Sequence, residues 1–415
     1  MSIEEALRYL ASLNVYGWRM GNARMTEFLR RAGNPQDQVR SFHVAGTNGK
    51  GSVTMMIAEC LRAAGCSTGA YFSPYVYRVN ERILLDSEPI SDSDLARWIT
   101  NLKPIADSLR DTEYGQVTEF EMKTAVAMCC FAEHNVNFSV LEVGLGGRLD
   151  ATNVIVPQAC AISSIGLDHM DRLGPTLSDI AYEKAGAIKP GRPVVIGPCG
   201  IEAETMIRSV AQIRQAPSFF VGHEVETEDD GNSNEYVKVC FDKHELIVRP
   251  AMVGRAQRSN AATAAATLWA SGIGVTDQAI AEGIGKARLP GRFETVGDPV
   301  RLILDGAHNA QAAEELAANL KGYEVVFVVG MSKPHDPVGF LEPLTRISRQ
   351  FVFVAADHPR AYSPAELQAA AKQLSVEGRV ASSVRDGVRS ALSEGIVVVT
   401  GSFYVVGECE EFRNG

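Results

Sequence analysis

Residues 41–53 read Ser-Phe-His-Val-Ala-Gly-Thr-Asn-Gly-Lys-Gly-Ser-Val, and this stretch decides the fold of the chain. Its apolar beginning predicts a short strand, its glycine-rich middle predicts a turn, and apolar side chains then recur at helical spacing. A strand, a glycine turn and a helix start are together typical of a phosphate-binding loop, because the turn and the helix amino terminus present N–H groups to an anion. A glycine turn that binds nothing is the plain alternative.

Two side chains of this loop suit nucleotide chemistry. Lys50 can reach the terminal phosphates of ATP, and Ser52 can ligate Mg²⁺. Gly51 stands between them, whereas the common P-loop places Ser or Thr directly after Lys. The predicted ATP-binding residues of the loop are Thr47, Asn48, Gly49, Lys50, Gly51 and Ser52.

Length and composition limit the classes of protein that fit. A chain of 415 residues is expected to form two or three domains, and 46% hydrophobic with 22% charged residues is typical of a soluble globular protein. The net charge of −10 argues against nucleic acid or an anionic membrane as a partner. The amino terminus is not a signal peptide, no apolar stretch approaches membrane-spanning length, and the eight cysteines contain no CxxC pair. We therefore expect a cytoplasmic protein with reduced thiols.

Two predicted strands end at residues that can bind a metal or substrate. Residues 138–143 form an apolar run typical of a strand inside a parallel sheet, and Glu142 lies at its end. Ligands of open α/β sheets collect at this end of the strands, so Glu142 is placed for a Mg²⁺ ligand. His169 follows the strand predicted at 159–165. Because Mg²⁺ prefers oxygen ligands, the residue type alone does not assign His169 to a metal.

A lysine falls on the apolar face of the helix predicted at 176–188. Lys184 follows Ile180 by four residues and precedes Ile188 by four. Burial on such a face lowers the pKa of a lysine, and the resulting neutral amine can capture CO₂ as a carbamate. The alternative is a lysine whose stem packs while its head reaches water.

The chain divides near a Pro-Gly segment at residues 290–291. We predict domains at 1–288 and 289–415, the second alternating strand and helix as a doubly wound α/β domain. Residues 235–249 predict a hairpin that would form an antiparallel edge of the first sheet. Arg292 can bridge from the hinge to a phosphate, and Asp305 and Ser402 each follow a predicted strand. Thr118 is a good helix N-cap, and capping alone explains the acids after it.

These motifs resemble the Mur ligase superfamily, and more closely its folylpolyglutamate synthase/dihydrofolate synthase branch. The chain departs from that pattern at Tyr75 and Ala256, where the family has His. The resemblance implies an α/β fold: an N-terminal P-loop Mur-ligase-like ATPase domain with a mostly parallel sheet, plus a smaller C-terminal Rossmann-like α/β domain. It rests on GTNGKGS (46–52), SP (73–74), NERI (80–83), LEVGLGGRLDATN (141–153), SIGLDH (164–169) and EKAG (183–186).

The resemblance further implies an ATP-dependent ligase that joins L-glutamate to dihydropteroate, or to the glutamate tail of tetrahydrofolate, through an acyl phosphate. It implies ATP as cosubstrate and two Mg²⁺ ions, with Ser52, Glu142, His169 and carbamylated Lys184 as metal ligands. The implied catalytic residues are Lys50, Lys184, His308 and Asp305. Asn260, Arg292 and Asp305 join the ATP site. The implied substrate-binding residues are Trp18, Met20, Ser73, Thr118, Phe120, Glu121, Leu149, Asp150, Ala151 and Ser402.

Two other functions compete with this interpretation. A cell-wall Mur ligase, or another member acting on a different carboxylate, would share the ATP loop and the lysine, but a cell-wall enzyme should carry a UDP-binding domain before the P-loop. A non-catalytic nucleotide-binding module would be expected to lose Lys50, Glu142 or His169, which are all present. We expect a monomer, and the sequence leaves open a need for a monovalent cation.

Overall fold

A computed structural model describes residues 1–14, 21–228 and 236–413. The backbone contacts divide the chain into two compact units. The first comprises residues 1–74, 80–251 and 258–287, and the second comprises 75–79, 252–257 and 288–415. Two short segments from the first part of the chain therefore belong to the second unit. A division into domains 1–288 and 289–415 stays a prediction.

The described residues form fifteen α-helices. They are α1 (Ile3–Leu13), α2 (Ala23–Arg31), α3 (Lys50–Ala63), α4 (Asp92–Asp107), α5 (Glu119–Glu133), α6 (Met170–Leu173), α7 (Leu177–Ala185), α8 (Ile201–Ile213), α9 (Arg255–Ala270), α10 (Asp277–Lys286), α11 (Ala310–Asn319), α12 (Pro337–Thr345), α13 (Pro364–Gln373), α14 (Val384–Ala391) and α15 (Phe403–Gly407).

The strands are short and many are wholly buried. They are β1 (Arg40–Ala45), β2 (Thr68–Tyr71), β3 (Ile83–Leu85), β4 (Glu88–Pro89), β5 (Phe138–Glu142), β6 (Cys160–Ile162), β7 (Val194–Ile196), β8 (Ser218–Phe220), β9 (Glu226–Glu228), β10 (Val237–Phe241), β11 (His244–Val248), β12 (Glu294–Val296), β13 (Leu302–Leu304), β14 (Val325–Val329), β15 (Phe351–Phe353), β16 (Arg379–Val380) and β17 (Ile396–Thr400).

The first unit is built on an eight-stranded sheet in the order β4-β3-β2-β5-β1-β6-β7-β8. The pairs from β2 to β8 are parallel, and β3 and β4 add an antiparallel edge. Strand β5 is buried along its whole length and β1 from its second residue on, and α3 packs on both strands. Val44 pairs with Glu142, so the loop after β1 and the end of β5 lie side by side at the carboxyl edge of the sheet.

The predicted hairpin forms, but it is not an edge of this sheet. Strands β10 and β11 pair antiparallel and join β9 in a separate three-stranded sheet. This small sheet packs on α9, where the rings of Phe241 and His244 stack on Trp269 with centroid distances of 6.4 and 4.8 Å. The antiparallel edge of the main sheet comes instead from β3 and β4.

The second unit contains a six-stranded sheet in the order β12-β13-β17-β14-β15-β16. Only its edge strand β12 runs antiparallel. Apolar clusters cover both faces, one packed under α11, α12 and α13 and the other under α14 and α15. The predicted α/β class, with a mostly parallel sheet in each part, is confirmed.

No helix within the ranges 1–14, 21–228 and 236–413 has the length and hydropathy that a membrane crossing requires.

Candidate active site

The phosphate-binding loop lies directly after β1, in the first unit. Gly46 has a φ of +144°, and a side chain there would come within 2.0 Å of the Ser163 hydroxyl. Gly49 has a φ of +83°, and a side chain there would meet the Asn260 amide at 2.4 Å. Both positions therefore require glycine, and Asn260 lies against the loop, while its contact with ATP stays a prediction.

Lys50 folds back over the loop that precedes it. Its Nζ donates to the carbonyl oxygens of Gly46 (3.1 Å) and Thr47 (3.0 Å). It begins α3, so the helix amino terminus and the lysine charge both face the turn. This arrangement concentrates positive potential where a polyphosphate would bind.

Two serines after β6 fasten the same loop, and sequence reasoning missed them. The Ser163 hydroxyl donates to the Asn48 carbonyl at 2.6 Å. The Ser164 hydroxyl accepts from the Asn48 N–H at 3.0 Å. The available signal was a pair of small hydroxyl residues at the carboxyl end of a buried strand, the position where ligand-binding residues collect.

The buried oxygen atoms near the loop fit a hard divalent cation. Ser52 is 1% exposed, and its hydroxyl has no hydrogen-bond partner among the described residues. Glu142 is 2% exposed, and its Oε2 accepts from the Ser73 N–H at 2.9 Å. Buried polar groups are normally satisfied, so the Ser52 hydroxyl is suited to a bound ion. Hydroxyl and carboxylate oxygens are ligands that Mg²⁺ accepts.

His169 is less enclosed than these oxygens. It has a φ of +49° at the start of α6, and its side chain is 39% exposed. Within residues 1–14, 21–228 and 236–413, no three His, Cys, Asp or Glu side chains are grouped as a metal site. A metal bound here would take ligands beyond these residue types, such as Ser52 or a nucleotide. The role of His169 stays a prediction.

Lys184 is the buried lysine of the site. Its side chain lies in the core with the residue 4% exposed, and its Nζ donates to the Gly46 carbonyl at 2.7 Å. Burial, assisted by the nearby charge of Lys50, lowers the pKa of Lys184 to about 7 against the opposing charges of Asp168 and Asp150. The alternative of a lysine head in bulk water is therefore excluded, and the lowered pKa favours the neutral amine relative to an exposed lysine.

Asp150 organises the glycine turn that follows β5. Its Oδ2 accepts from the N–H groups of Gly144 (3.1 Å) and Leu145 (3.0 Å). Its Oδ1 accepts from the N–H and hydroxyl of Thr152. Burial raises the pKa of Asp150, and these four donors oppose that rise. Both carboxylate oxygens are thus held by the chain, and Leu149 and Ala151 flank the Asp150 residue.

The segment that starts α5 serves packing and capping. Thr118 and Glu121 form a capping box, and Glu121 also pairs with buried Arg24 at 2.8 Å. The Phe120 ring lies 6.1 Å from the Tyr71 ring and against Gly144, where a Cβ would come within 2.5 Å of it. Substrate contacts by these residues stay predictions. Trp18 and Met20 lie outside the described residues.

The predicted residues of the second unit gather around Phe403. The Asp305 carboxylate accepts from the N–H groups of Phe293 and Ala307, both at 2.9 Å, and burial raises its pKa. The Arg292 guanidinium lies 4.4 Å above the Phe403 ring. The centre of the His308 ring lies 6.2 Å from the centre of the Phe403 ring, and its Nδ1 donates to the Gly306 carbonyl. Ser402 is the N-cap residue of α15, directly before Phe403.

Two protein families match this chain, one in its first part and one in its last part. The Mur ligase middle domain family matches residues 44–268, and the dihydrofolate synthetase C-terminal domain family matches residues 292–412. The dihydrofolate synthase/folylpolyglutamate synthase of Bacillus subtilis is 37% identical over 416 residues, covering 95% of each chain. The chain belongs to the dihydrofolate synthase/folylpolyglutamate synthase family. The predicted resemblance is confirmed.

Solved structures of this family share the whole architecture. Escherichia coli FolC in complex with DHPP and ADP is 31% identical with a TM-score of 0.90, covering 99% of this chain and 97% of that one. The Yersinia pestis enzyme complexed with AMPPNP and a Mn ion is 31% identical with a TM-score of 0.87, covering 99% and 98%. The family is one of ATP-dependent ligases, so the predicted enzyme class is confirmed and neither competing function is supported.

The two departures from the family pattern both belong to the second unit. Tyr75 is 36% exposed and belongs to the second unit, together with the segment that follows it. Ala256 lies in the first turn of α9, and its methyl group offers no hydrogen bond. The Ala256 side chain therefore cannot make any hydrogen bond that the histidine of the family makes at this position.

Proposed function

We propose that this enzyme joins L-glutamate both to dihydropteroate and to the glutamate tail of tetrahydrofolate, with ATP activating the acceptor carboxylate. The observation that supports this most is the pair of amines on one carbonyl: Lys50 and Lys184 both donate to Gly46 in the phosphate-binding loop. Lys50 lies over the loop at the start of α3 and is suited to binding phosphate. The other is buried, with a pKa lowered to about 7, and is suited to modification.

Amide formation needs a leaving group on the carboxyl carbon. A carboxylate oxygen of the acceptor attacks the γ-phosphorus of ATP, and the bond to the ADP oxygen breaks. Lys50 and the amino terminus of α3 hold the phosphate oxygens during this transfer. Mg²⁺, when bound through Ser52 and Glu142, with His169 and modified Lys184 as the further predicted ligands, would neutralise phosphoryl charge. The glutamate amine then attacks the acyl carbon, phosphate leaves, and a proton is released.

Lys184 is proposed to act as a carbamate. Its neutral Nζ attacks the carbon of CO₂, a C–N bond forms, and the proton goes to solvent, which leaves an anionic carboxylate. Burial of this amine in the core supports the neutral form that the reaction needs. The product would supply oxygen ligands beside the phosphate-binding loop, where a second divalent ion is predicted.

The remaining predicted roles are assigned by residue. Asn260, Arg292 and Asp305 are proposed to contact ATP, with Asp305 alternatively contacting the amine, and His308 and Ser402 to bind the incoming glutamate. The folate substrate is assigned to Trp18, Met20, Ser73, Thr118, Phe120, Glu121, Leu149, Asp150 and Ala151. Of these, Phe120 is the aromatic side chain that could stack on a pterin ring. All eight cysteines are free thiols, which supports the proposed cytoplasmic location.

Phosphate release tests the function directly. Purified protein receives ATP, Mg²⁺ and L-glutamate, with dihydropteroate in one reaction and tetrahydrofolate in another. Release in both supports the dual activity, and release with tetrahydrofolate alone limits the enzyme to tail extension. If neither reaction releases phosphate, the result would contradict the proposal and indicate another carboxylate substrate. Repeating the assay with and without K⁺ tests the monovalent cation, and light scattering tests the expected monomer.

A further inference from the structure

A buried histidine lies in the middle of the main sheet, outside the set of predicted site residues. His43 is in β1, paired with Leu141 of β5 and Cys160 of β6. It is 0% exposed. A side chain of this polarity is uncommon in such a position unless its hydrogen bonds are satisfied.

Only one ring nitrogen of His43 is satisfied. Its Nε2 lies 2.8 Å from the Thr152 hydroxyl, and its Nδ1 has no hydrogen-bond partner among the described residues. The interior therefore contains an unsatisfied Nδ1 atom, while Nε2 of the same ring contacts Thr152. An aliphatic side chain would fill this position without that disadvantage.

The direction of the hydrogen bonds follows from a proton count. The Thr152 hydroxyl has a single proton, which it donates to the Asp150 carboxylate at 2.6 Å. It must therefore accept from His43, and the imidazole donates as the neutral Nε2–H tautomer. Burial, with the nearby charge of Lys189, lowers the pKa of His43 to about 3, which agrees with a neutral ring.

This chain of hydrogen bonds ends at the active-site turn. Asp150 accepts from the N–H groups of Gly144 and Leu145, the second and third residues after Glu142. The turn also packs on α7, since a Cβ at Gly147 would lie 2.8 Å from the Lys184 carbonyl. The relay thus connects β1, just before the phosphate-binding loop, to the turn between Glu142 and Lys184.

We propose that His43 is a positioning residue for the ligase reaction: through Thr152 it fixes the Asp150 carboxylate, which in turn holds the Gly144–Leu145 turn next to Glu142. This inference rests on the proposed function for its kinetic consequence, but the hydrogen-bond relay can be tested without turnover. His43 does not touch the substrates in this scheme, and it acts through Asp150.

The kinetic experiment compares two replacements of the same residue. His43→Leu removes the donor, and His43→Gln places an amide N–H where Nε2 lies. We expect His43→Leu to lower kcat about tenfold while the KM for ATP changes little, and His43→Gln to recover most of the loss. Cys160→Val, in the strand position paired with His43, is the control for sheet packing and should retain full activity. Equal losses in both His43 variants, or none in His43→Leu, would overturn the proposal.

A second pair of variants covers a failure of His43→Leu to fold. Thr152→Val breaks the relay at its middle with little change in volume, and Thr152→Ser keeps the hydroxyl. We expect a kcat loss in Thr152→Val that Thr152→Ser avoids, and His43→Leu combined with Thr152→Val should be no worse than either alone. Additive losses would show that the two residues act separately and would overturn the relay.

The tautomer gives a readout that is independent of activity. Protein with ¹⁵N-labelled histidine is examined by NMR, and the His43 signals are assigned by their loss in His43→Gln. We expect the neutral Nε2–H form in wild type and in Cys160→Val. An Nδ1–H form would contradict the relay. If wild type shows this tautomer but no phosphate release, the proposed function fails while the hydrogen-bond relay stands.

Discussion

The Nζ atom of Lys184 lies 2.7 Å from the carbonyl oxygen of Gly46, the first residue of the phosphate-binding loop. Lys50 reaches the same carbonyl oxygen from the other end of the loop, at 3.1 Å. Two amines that converge on one acceptor repel each other when both are charged, and this repulsion favours a neutral Lys184. The loop therefore holds two lysine amines, and the buried one, Lys184, is the one whose pKa is lowered.

Replacing Lys184 with Ala should abolish most of the activity without unfolding the protein. The Asp150 carboxylate near Lys184 keeps its hydrogen bonds to Gly144, Leu145 and Thr152 in this variant, whereas the proposed anionic ligand is lost. We expect kcat to fall by about 100-fold or more, with an unchanged circular dichroism spectrum. Lys286→Ala, which alters an exposed lysine on α10, is the matched control. Turnover of Lys184→Ala at the wild-type level would refute the carbamate.

Activity after removal of CO₂ should depend on pH in a defined direction. Carbamate forms only from the neutral amine, and the neutral fraction of Lys184 rises as pH increases through about 7. Protein depleted of CO₂ at low pH should therefore regain phosphate release on addition of bicarbonate more fully at pH values above 7 than below, at equal dissolved CO₂. Recovery that is independent of pH, or stronger below 7, would argue against this chemistry.

Replacing Lys50 with Ala should eliminate phosphate release. The variant loses the cation that lies on the Gly46 and Thr47 carbonyls, and hence the charge nearest the phosphates. A reduction in kcat of about 100-fold or more is expected, because the N–H groups at the start of α3 remain but carry no full positive charge. Lys321→Ala, at an exposed position after α11, serves as the control. Full residual activity would contradict the P-loop interpretation.

Ser52 and Thr54 offer a matched test of the metal site. Both hydroxyls lie on α3, both are buried, and neither has a hydrogen-bond partner among the described residues. We expect Ser52→Ala to raise the Mg²⁺ concentration for half-maximal activity about tenfold or more, and Thr54→Val to leave it unchanged. Both should keep the wild-type melting temperature or exceed it, because each loses an unsatisfied buried hydroxyl. Equal Mg²⁺ dependence in the two variants would remove Ser52 from the metal site.

His43 should make the protein sensitive to acid. Its pKa in the folded state is lowered to about 3, whereas an unfolded chain has an ordinary histidine, so the unfolded chain binds more protons between these values. The free energy of unfolding of wild type should therefore fall relative to His43→Leu as pH decreases from about 6.5 toward 3, by at most about 1.4 kcal/mol per pH unit. Urea titrations at several pH values measure the difference. A constant difference would mean that His43 is not buried as a neutral ring.

The sequence predicts the phosphate-binding loop and the elements around it because the patterns that indicate them lie within short stretches of the chain. The strand before the phosphate-binding loop, the glycine turn and α3 lie where the periodicity places them, and Glu142 ends β5 as expected. Lys184 is buried on α7 beside Ile180, four residues earlier, as the helical pattern indicates, although the helix ends at Ala185 and Ile188 lies beyond it.

Other features depend on contacts between distant residues. The Asn260 amide lies against Gly49, and Ser163 and Ser164 hold Asn48 across more than a hundred residues of chain. The prediction that the hairpin joins the main sheet is wrong, because the hairpin packs on Trp269 instead. No local sequence pattern connects Trp269 to the hairpin. The relay from His43 through Thr152 is of the same kind, since a histidine in an apolar strand gives no sign of its partner.

Glu121 forms a capping box with Thr118 and a buried ion pair with Arg24, 97 positions earlier. A change at Arg24 alone would leave a carboxylate buried without its cation, and a change at Glu121 alone would leave the cation and the start of α5 unsatisfied. Each intermediate is thus less fit than either end state. We therefore expect positions 24 and 121 to change together during divergence of this family, because one ion pair joins α2 to α5.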